Sequence, residues 1–190
     1  MVPVAAHELI LGGQRSGKSR CAEQRAVAWL ARAGHSAVLL ATALALDDEM
    51  RSRIHRHKDD RAIHVPALAT LEVPFDLAGA LREHSAPGRL VLVDCLTLWW
   101  TNLVMPVRAV ALPSSEWADA RESLCAALRD ARGPVLLVSN EIGMGVSPMS
   151  PEARAFVDGL GWLHQAVAAT CTNVTLMVAG IEMPVKRGAA

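Results

Sequence analysis

The sequence predicts an α/β fold: a mostly parallel sheet with helices on both faces, formed as one domain. Three observations predict it. Short runs that are apolar at every position recur along the chain, as strands buried on both faces of a parallel sheet require. Helical stretches alternate with these runs. The 190 residues suit a single core, and 52% of them are hydrophobic against 20% charged.

The elements follow in order. Residues 8–11 form a short apolar strand that runs straight into glycines. A helix over 18–32 stops at Gly34, a residue suited to ending helices. Residues 37–41 are a second buried strand. The next helix spans 46–58, with Asp47, Asp48 and Glu49 in its first turn, where carboxylates suit the helix dipole. Proline interrupts 63–73, which reads as a short strand plus loop. A short helix over 75–83 leads to the turn Ala86-Pro87-Gly88. Residues 90–93 are a buried strand ending in Asp94. Residues 96–105 read as helix, 106–113 as loop, and 115–132 as an amphipathic helix ended by Gly133-Pro134. A strand over 135–138 precedes a loop over 139–151. The chain closes with a helix over 152–170 and a last strand over 174–178.

Charge excludes one class of partner. The 19 Lys and Arg balance 19 Asp and Glu, so the basic field of a nucleic-acid binder is missing. A local cationic pocket remains compatible with that balance. Cys21, Cys95, Cys125 and Cys171 are scattered with no Cys-x-x-Cys pair, which predicts buried free thiols rather than zinc or disulfides. The first ten residues lack the basic region of a signal peptide, and no apolar run is long enough to span a membrane. A cytoplasmic protein is expected.

Gly12-Gly13-Gln14-Arg15-Ser16-Gly17-Lys18-Ser19 matches the phosphate-binding pattern Gly-x-x-x-x-Gly-Lys-Ser in full. Its glycines allow several backbone N–H groups to turn inward on an anion, and the following helix adds its N-terminal dipole. Lys18 is placed to reach the terminal phosphates, and Ser19 to hold Mg2+. The strand before and the helix after are the context this loop needs, so the fold is P-loop NTPase-like. Asp94, at the end of the strand over 90–93, is the expected second metal-holding residue; a helix cap is its other reading. The reaction stays open here, because kinases, GTPases, ATPases and transferases share this loop.

Residues 41–61 narrow it. Arg53, His57 and Arg61 are four apart and share a helix face. An imidazole between guanidiniums stays neutral near pH 7 and suits attack on phosphorus. A solvated basic helix end explains the same charges. His55 lies on a different face, without the spacing of a helical zinc site.

The sequence resembles the bifunctional adenosylcobinamide kinase/adenosylcobinamide-phosphate guanylyltransferase family of cobalamin biosynthesis. The likeness runs nearly end to end: Gly-Gly-Gln-Arg-Ser-Gly-Lys-Ser-Arg, Ala-Thr-Ala, Asp-Asp-Glu-Met with Arg-Ile-x-x-His-x-x-x-Arg, Val-Asp-Cys-Leu-Thr-Leu-Trp with Thr101-Asn102-Leu103, and Ser-Asn-Glu-Ile-Gly-Met-Gly over 139–145. The resemblance implies two reactions. Adenosylcobinamide is phosphorylated by ATP or GTP, and GMP is then moved from GTP to adenosylcobinamide-phosphate, releasing pyrophosphate. It implies a GMP–histidine intermediate at His57. Gly12 to Ser19, with Lys18 catalytic, would bind triphosphate; Ala41, Thr42 and Ala43 would line the nucleotide site. Lys58, Asp59, Asp60 and Arg61 would lie against the guanylyl group. Glu72 is the candidate for the family's nucleotide-contacting glutamate, at a longer spacing from His57 than the family's. Asp94 matches the family's acid after the fourth strand, and relatives imply a homo-oligomer, a trimer. Trp99, Trp100 and Trp162 are candidates to cover the corrin, or else core. A small-molecule kinase without guanylyl transfer, or a non-catalytic nucleotide-binding regulator, are the competing readings.

Overall fold

The computed structural model describes residues 7–107 and 109–188; Arg108, within the expected loop over 106–113, lies outside them, as do most of the first ten residues. Seven strands form one sheet in the order β3-β2-β4-β5-β1-β6-β7. They are β1 (Glu8–Gly12), β2 (Ser36–Ala41), β3 (Ala69–Glu72), β4 (Arg89–Asp94), β5 (Val135–Asn140), β6 (Asn173–Val178) and β7 (Ile181–Lys186). The helices are α1 (Lys18–Leu30), α2 (Asp48–His64), α3 (Leu77–His84), α4 (Leu96–Val104), α5 (Trp117–Arg129) and α6 (Pro151–Thr170). The expected α/β architecture stands: the first six strands are parallel.

The strands are apolar throughout because each one feeds two cores. Leu9, Val38, Leu40, Val91, Val93, Val135 and Leu137 point to one face, under α3, α4, α5 and α6. Their sequence neighbours Ile10, Leu39, Leu90, Leu92, Leu136 and Val138 point to the other, where α1 brings Cys21, Ala22 and Ala26. This alternation is the two-residue period of a strand read on both sides. All four cysteines are free and buried, as expected, and burial pushes the thiols of Cys21, Cys95 and Cys171 up to about 12. Trp99 and Trp100 are core residues at 3% and 0% exposure, which removes them as covers for a ligand. Trp162 is half-exposed.

The last strand is not the one expected. After β6, Ala179 and Gly180 adopt positive φ of 51° and 82°, the pair that a two-residue hairpin turn needs. The chain returns as β7, antiparallel to β6. Every residue of β7 is exposed, and Pro184 sits within it, so neither burial pattern nor propensity marks it as a strand; edge strands tolerate both. Charges fasten it. Arg25 on α1 donates to Glu8 at 2.6 Å and to Glu182 of β7 at 2.7 Å. Lys186 Nζ donates to the carbonyls of Ala168 at 2.9 Å and Cys171 at 2.6 Å, capping the end of α6.

Candidate active site

The phosphate loop joins β1 to α1 at the carboxyl edge of the sheet. Gly17 has φ +100°, a conformation L side chains rarely adopt, and a Cβ on Gly12 would stand 2.6 Å from Met177 O. Both positions therefore need glycine. Three of the other helices, α2, α3 and α6, are capped by Asp47, Asp76 and Ser150, which accept from the N–H groups of Met50, Gly79 and Ala153. Helix α1 has no side-chain cap and no acid in its first turn. Its N–H groups and dipole are thus free to serve an anion.

Lys18 is buried, and its Nζ donates to Gly13 O at 2.6 Å within the loop. Burial lowers its pKa, with Cys95 and Asp94 opposing and Arg53 adding to the drop. Ser19 Oγ donates to Asp94 Oδ2 at 3.2 Å. These two hard oxygen donors beside the phosphate loop fit an Mg2+ ion that completes its shell with water and phosphate. Asp94 occupies the last position of β4, one residue before the N-cap position of the next helix; Cys95 stands at that position without a side-chain hydrogen bond, and the Asp94 carboxylate is engaged by Ser19 instead.

A cleft of about 710 Å³ opens over the loop. It is lined by Gln14 to Arg20, Ala41, Ala43, Arg53, Arg56, His57, Lys58, Arg61, Glu72, Asp94, Cys95, Leu98 and Asn140, among others. Helix α2 does reach Arg61, running from Asp48 to His64 rather than ending at 58, so Arg53, His57 and Arg61 form a continuous stripe. His55 projects away with a side chain 79% exposed. The pKa of His57 is lowered chiefly by burial; Arg53, Arg61 and Arg56 push the same way and Asp94 opposes. The cations that the sequence reading credited are thus second to desolvation.

The structure brings most of the expected residues together, but not all. Lys58 Nζ donates to Glu72 Oε1 at 3.0 Å, joining α2 to the end of β3 at the rim. That contact and the cleft lining place Glu72 at the rim beside α2, although it lies far from His57 in sequence. Asp59 and Asp60 are exposed and do not line the cleft, because neighbours on a helix diverge by about 100°. Thr42 is wholly buried between the two lining alanines; its hydroxyl donates to Cys95 O at 2.7 Å and accepts from Cys95 N at 2.8 Å. Asn102 donates to Thr42 O at 2.8 Å and to Pro74 O at 3.0 Å. Both act as fasteners behind the site. Asn140, which sequence reasoning left off the site, stands on the cleft wall. A second groove, of about 870 Å³, lies between α5 and α6 around Trp117, Arg121 and Trp162 and carries no phosphate-binding backbone.

Comparison with known proteins agrees with this architecture. Over 94% of its length the chain is 46% identical to the bifunctional adenosylcobalamin biosynthesis protein CobP of Pseudomonas aeruginosa, covering 96% of that protein. It is 35% and 37% identical to the proteins of the same description, CobU, from Salmonella typhimurium and Escherichia coli, covering 94% of this chain and 98% of each. Among solved structures, flagellar accessory protein FlaH from Methanocaldococcus jannaschii shares the fold with a TM-score of 0.53 at 11% identity, over 98% of this chain and 80% of that one. Residues 8–185 match the family described as cobinamide kinase / cobinamide phosphate guanyltransferase, and the chain belongs to that family.

Proposed function

We propose that this chain, acting as one domain, phosphorylates adenosylcobinamide with ATP or GTP and then transfers GMP from GTP to adenosylcobinamide-phosphate. The products are adenosylcobinamide-GDP and pyrophosphate. The observation that carries the reading is the meeting of the phosphate loop with half-buried His57, between Arg53 and Arg61, in one cleft. Family membership supplies the substrates.

The loop N–H groups and the uncapped start of α1 receive the triphosphate, and Lys18 donates to its terminal phosphates. Mg2+ held by Ser19 and Asp94 would neutralise charge on the departing pyrophosphate. A neutral nitrogen of His57 attacks the α-phosphorus, and the bond from that phosphorus to the β-bridging oxygen breaks as pyrophosphate leaves. A phosphate oxygen of adenosylcobinamide-phosphate then attacks the same phosphorus; the P–N bond breaks and His57 is restored. One hard displacement becomes two easier ones. Arg53 and Arg61 balance the charge gathering on the α-phosphoryl oxygens. Lys58 and Glu72 hold the nucleotide at the rim, beside Ala41 and Ala43.

The reading extends to a homo-oligomer. Half-exposed Trp162 in the groove between α5 and α6 supports a subunit contact there; light scattering on the eluted protein reads the mass. Among the described residues no helix is long and apolar enough to cross a membrane.

Incubation with α-labelled GTP tests the central step. An acid-labile, alkali-stable protein label is expected, absent in His57→Ala and retained in His55→Ala. Equal labelling of His57→Ala would place the nucleophile elsewhere. Cobinamide phosphorylation without any label would leave only a kinase.

A further inference from the structure

Strand β5 lies between β1, which feeds the phosphate loop, and β4, which carries Asp94. Its last residue, Asn140, is in register with Gly12 on one side, and Asp94 pairs with Val138 on the other. The end of β5 therefore overlooks the space between Lys18 and Asp94, where the terminal phosphates of a nucleotide come to rest. Among the described residues the Asn140 side-chain amide makes no hydrogen bond to the protein, and it lines the cleft.

Its backbone, by contrast, is held by a chain of side chains centred on buried Ser139 and His164. Asn140 N donates to Thr97 Oγ1 at 2.8 Å. Thr97 Oγ1 lies 3.0 Å from Ser139 Oγ, and Ser139 Oγ lies 2.7 Å from His164 Nε2. His164 Nδ1 faces Glu141 Oε2 at 3.7 Å, and Glu141 N donates to Gly12 O at 3.0 Å. With Nδ1 protonated the chain runs in one direction: Thr97 donates to Ser139, Ser139 to Nε2, and Nδ1–H points to the carboxylate. Serine, histidine and glutamate in this order are the residue types of a hydrolytic triad. Ser139 is 0% exposed, however, so no substrate reaches it. The network positions rather than attacks.

We infer that Asn140 is a further nucleotide-contacting residue, donating its amide to the terminal phosphate, and that His164 is its positioning residue, acting through Ser139 and Thr97. This rests on the cleft as a triphosphate site and is independent of the transferase step.

The test is calorimetric titration of the full chain with GTP and with GDP, at saturating magnesium. Asn140→Ala is expected to weaken GTP about tenfold, the scale of one hydrogen bond to a charged group, while GDP changes less than about twofold. The preference for GTP over GDP thus collapses. His164→Ala lowers that preference about three- to fivefold, on the scale of a coupled neighbour, and His164→Gln, which keeps an acceptor for Ser139, restores it. In the Asn140→Ala background His164→Ala adds nothing, because its effect passes through Asn140. Ser139→Ala repeats the result if His164→Ala fails to fold. An unchanged GTP preference in Asn140→Ala overturns the inference. So does an equal loss of GTP and GDP in His164→Ala, or a full His164 effect when Asn140 is already gone. Failure of His57 labelling leaves these binding ratios untouched, so the two readings fail separately.

Discussion

Helices α2 and α6 have similar lengths, 17 and 20 residues, and opposite relations to the fold. Helix α6 buries Leu160, Leu163 and Val167 against the sheet, with Gly159 closely opposed to Trp100. Helix α2 buries only Arg61 and leaves Ile63 75% exposed. It is held by its Asp47 cap and by Lys58 to Glu72 at the rim. A helix that contributes almost nothing to the core is kept for what it presents. Here it presents Arg53, His57 and Arg61 to the cleft.

The comparison breaks most readily in activity. Lys18→Ala should remove both kinase and guanylyl transfer, at least about 10³-fold each, since both need the triphosphate gripped. Retained guanylylation at normal GTP affinity would contradict a single shared site. In stability the order reverses. Leu160→Ala should cost about 2–5 kcal/mol by the loss of buried contacts, whereas Ile63→Ala on α2 should stay within about 0.5 kcal/mol. Urea unfolding measures both, and a large Ile63 effect would mean α2 is docked through its apolar side after all.

A finer contrast lies inside α6. A Cβ on Gly159 would stand 2.8 Å from Trp100 and 3.0 Å from Trp117, while one on Gly161 meets nothing within 4 Å. Gly159→Ala should therefore destabilise by about 1–3 kcal/mol. Gly161→Ala should be neutral or stabilise by up to about 1 kcal/mol through helix propensity.

The smallest effect concerns pH. Burial holds His57 below its ordinary 6.5. A lowered pKa keeps the imidazole neutral as pH falls through 6.5, so the acid limb of self-guanylylation should have its midpoint below that value. Label incorporation measured over about pH 5 to 8 at limiting GTP reads it; a midpoint above 6.5 would mean that neighbouring negative charge, not burial, governs the ring.

What the sequence revealed depended on whether the information was contiguous. The phosphate loop, Asp94 and the Arg53–His57–Arg61 stripe are local patterns, and each survives intact in three dimensions. Asp59 and Asp60 stand exposed beside the cleft rather than on its wall, because adjacency along a helix is not adjacency in space. The link from Glu72 to Lys58 runs between elements, so spacing alone undervalued it. The bond from His164 to Ser139 joins residues 25 apart through α6 and β5, and nothing in either segment marks it. Strand β7 was missed for a different reason: an exposed edge needs no hydrophobic pattern. Its one local signal is the Ala179-Gly180 turn.

That edge also sets how the sheet ends. With no buried side chain in β7, the strand's attachment relies on its backbone ladder, on Arg25 clasping two carboxylates, and on Lys186 over the carbonyls of α6. Electrolyte weakens such clasps while leaving the apolar interior intact. Raised ionic strength should accordingly speed amide exchange along 181–186 well before it touches β1 or β5, making the C-terminal hairpin a salt-sensitive hem on a sheet whose centre ignores salt.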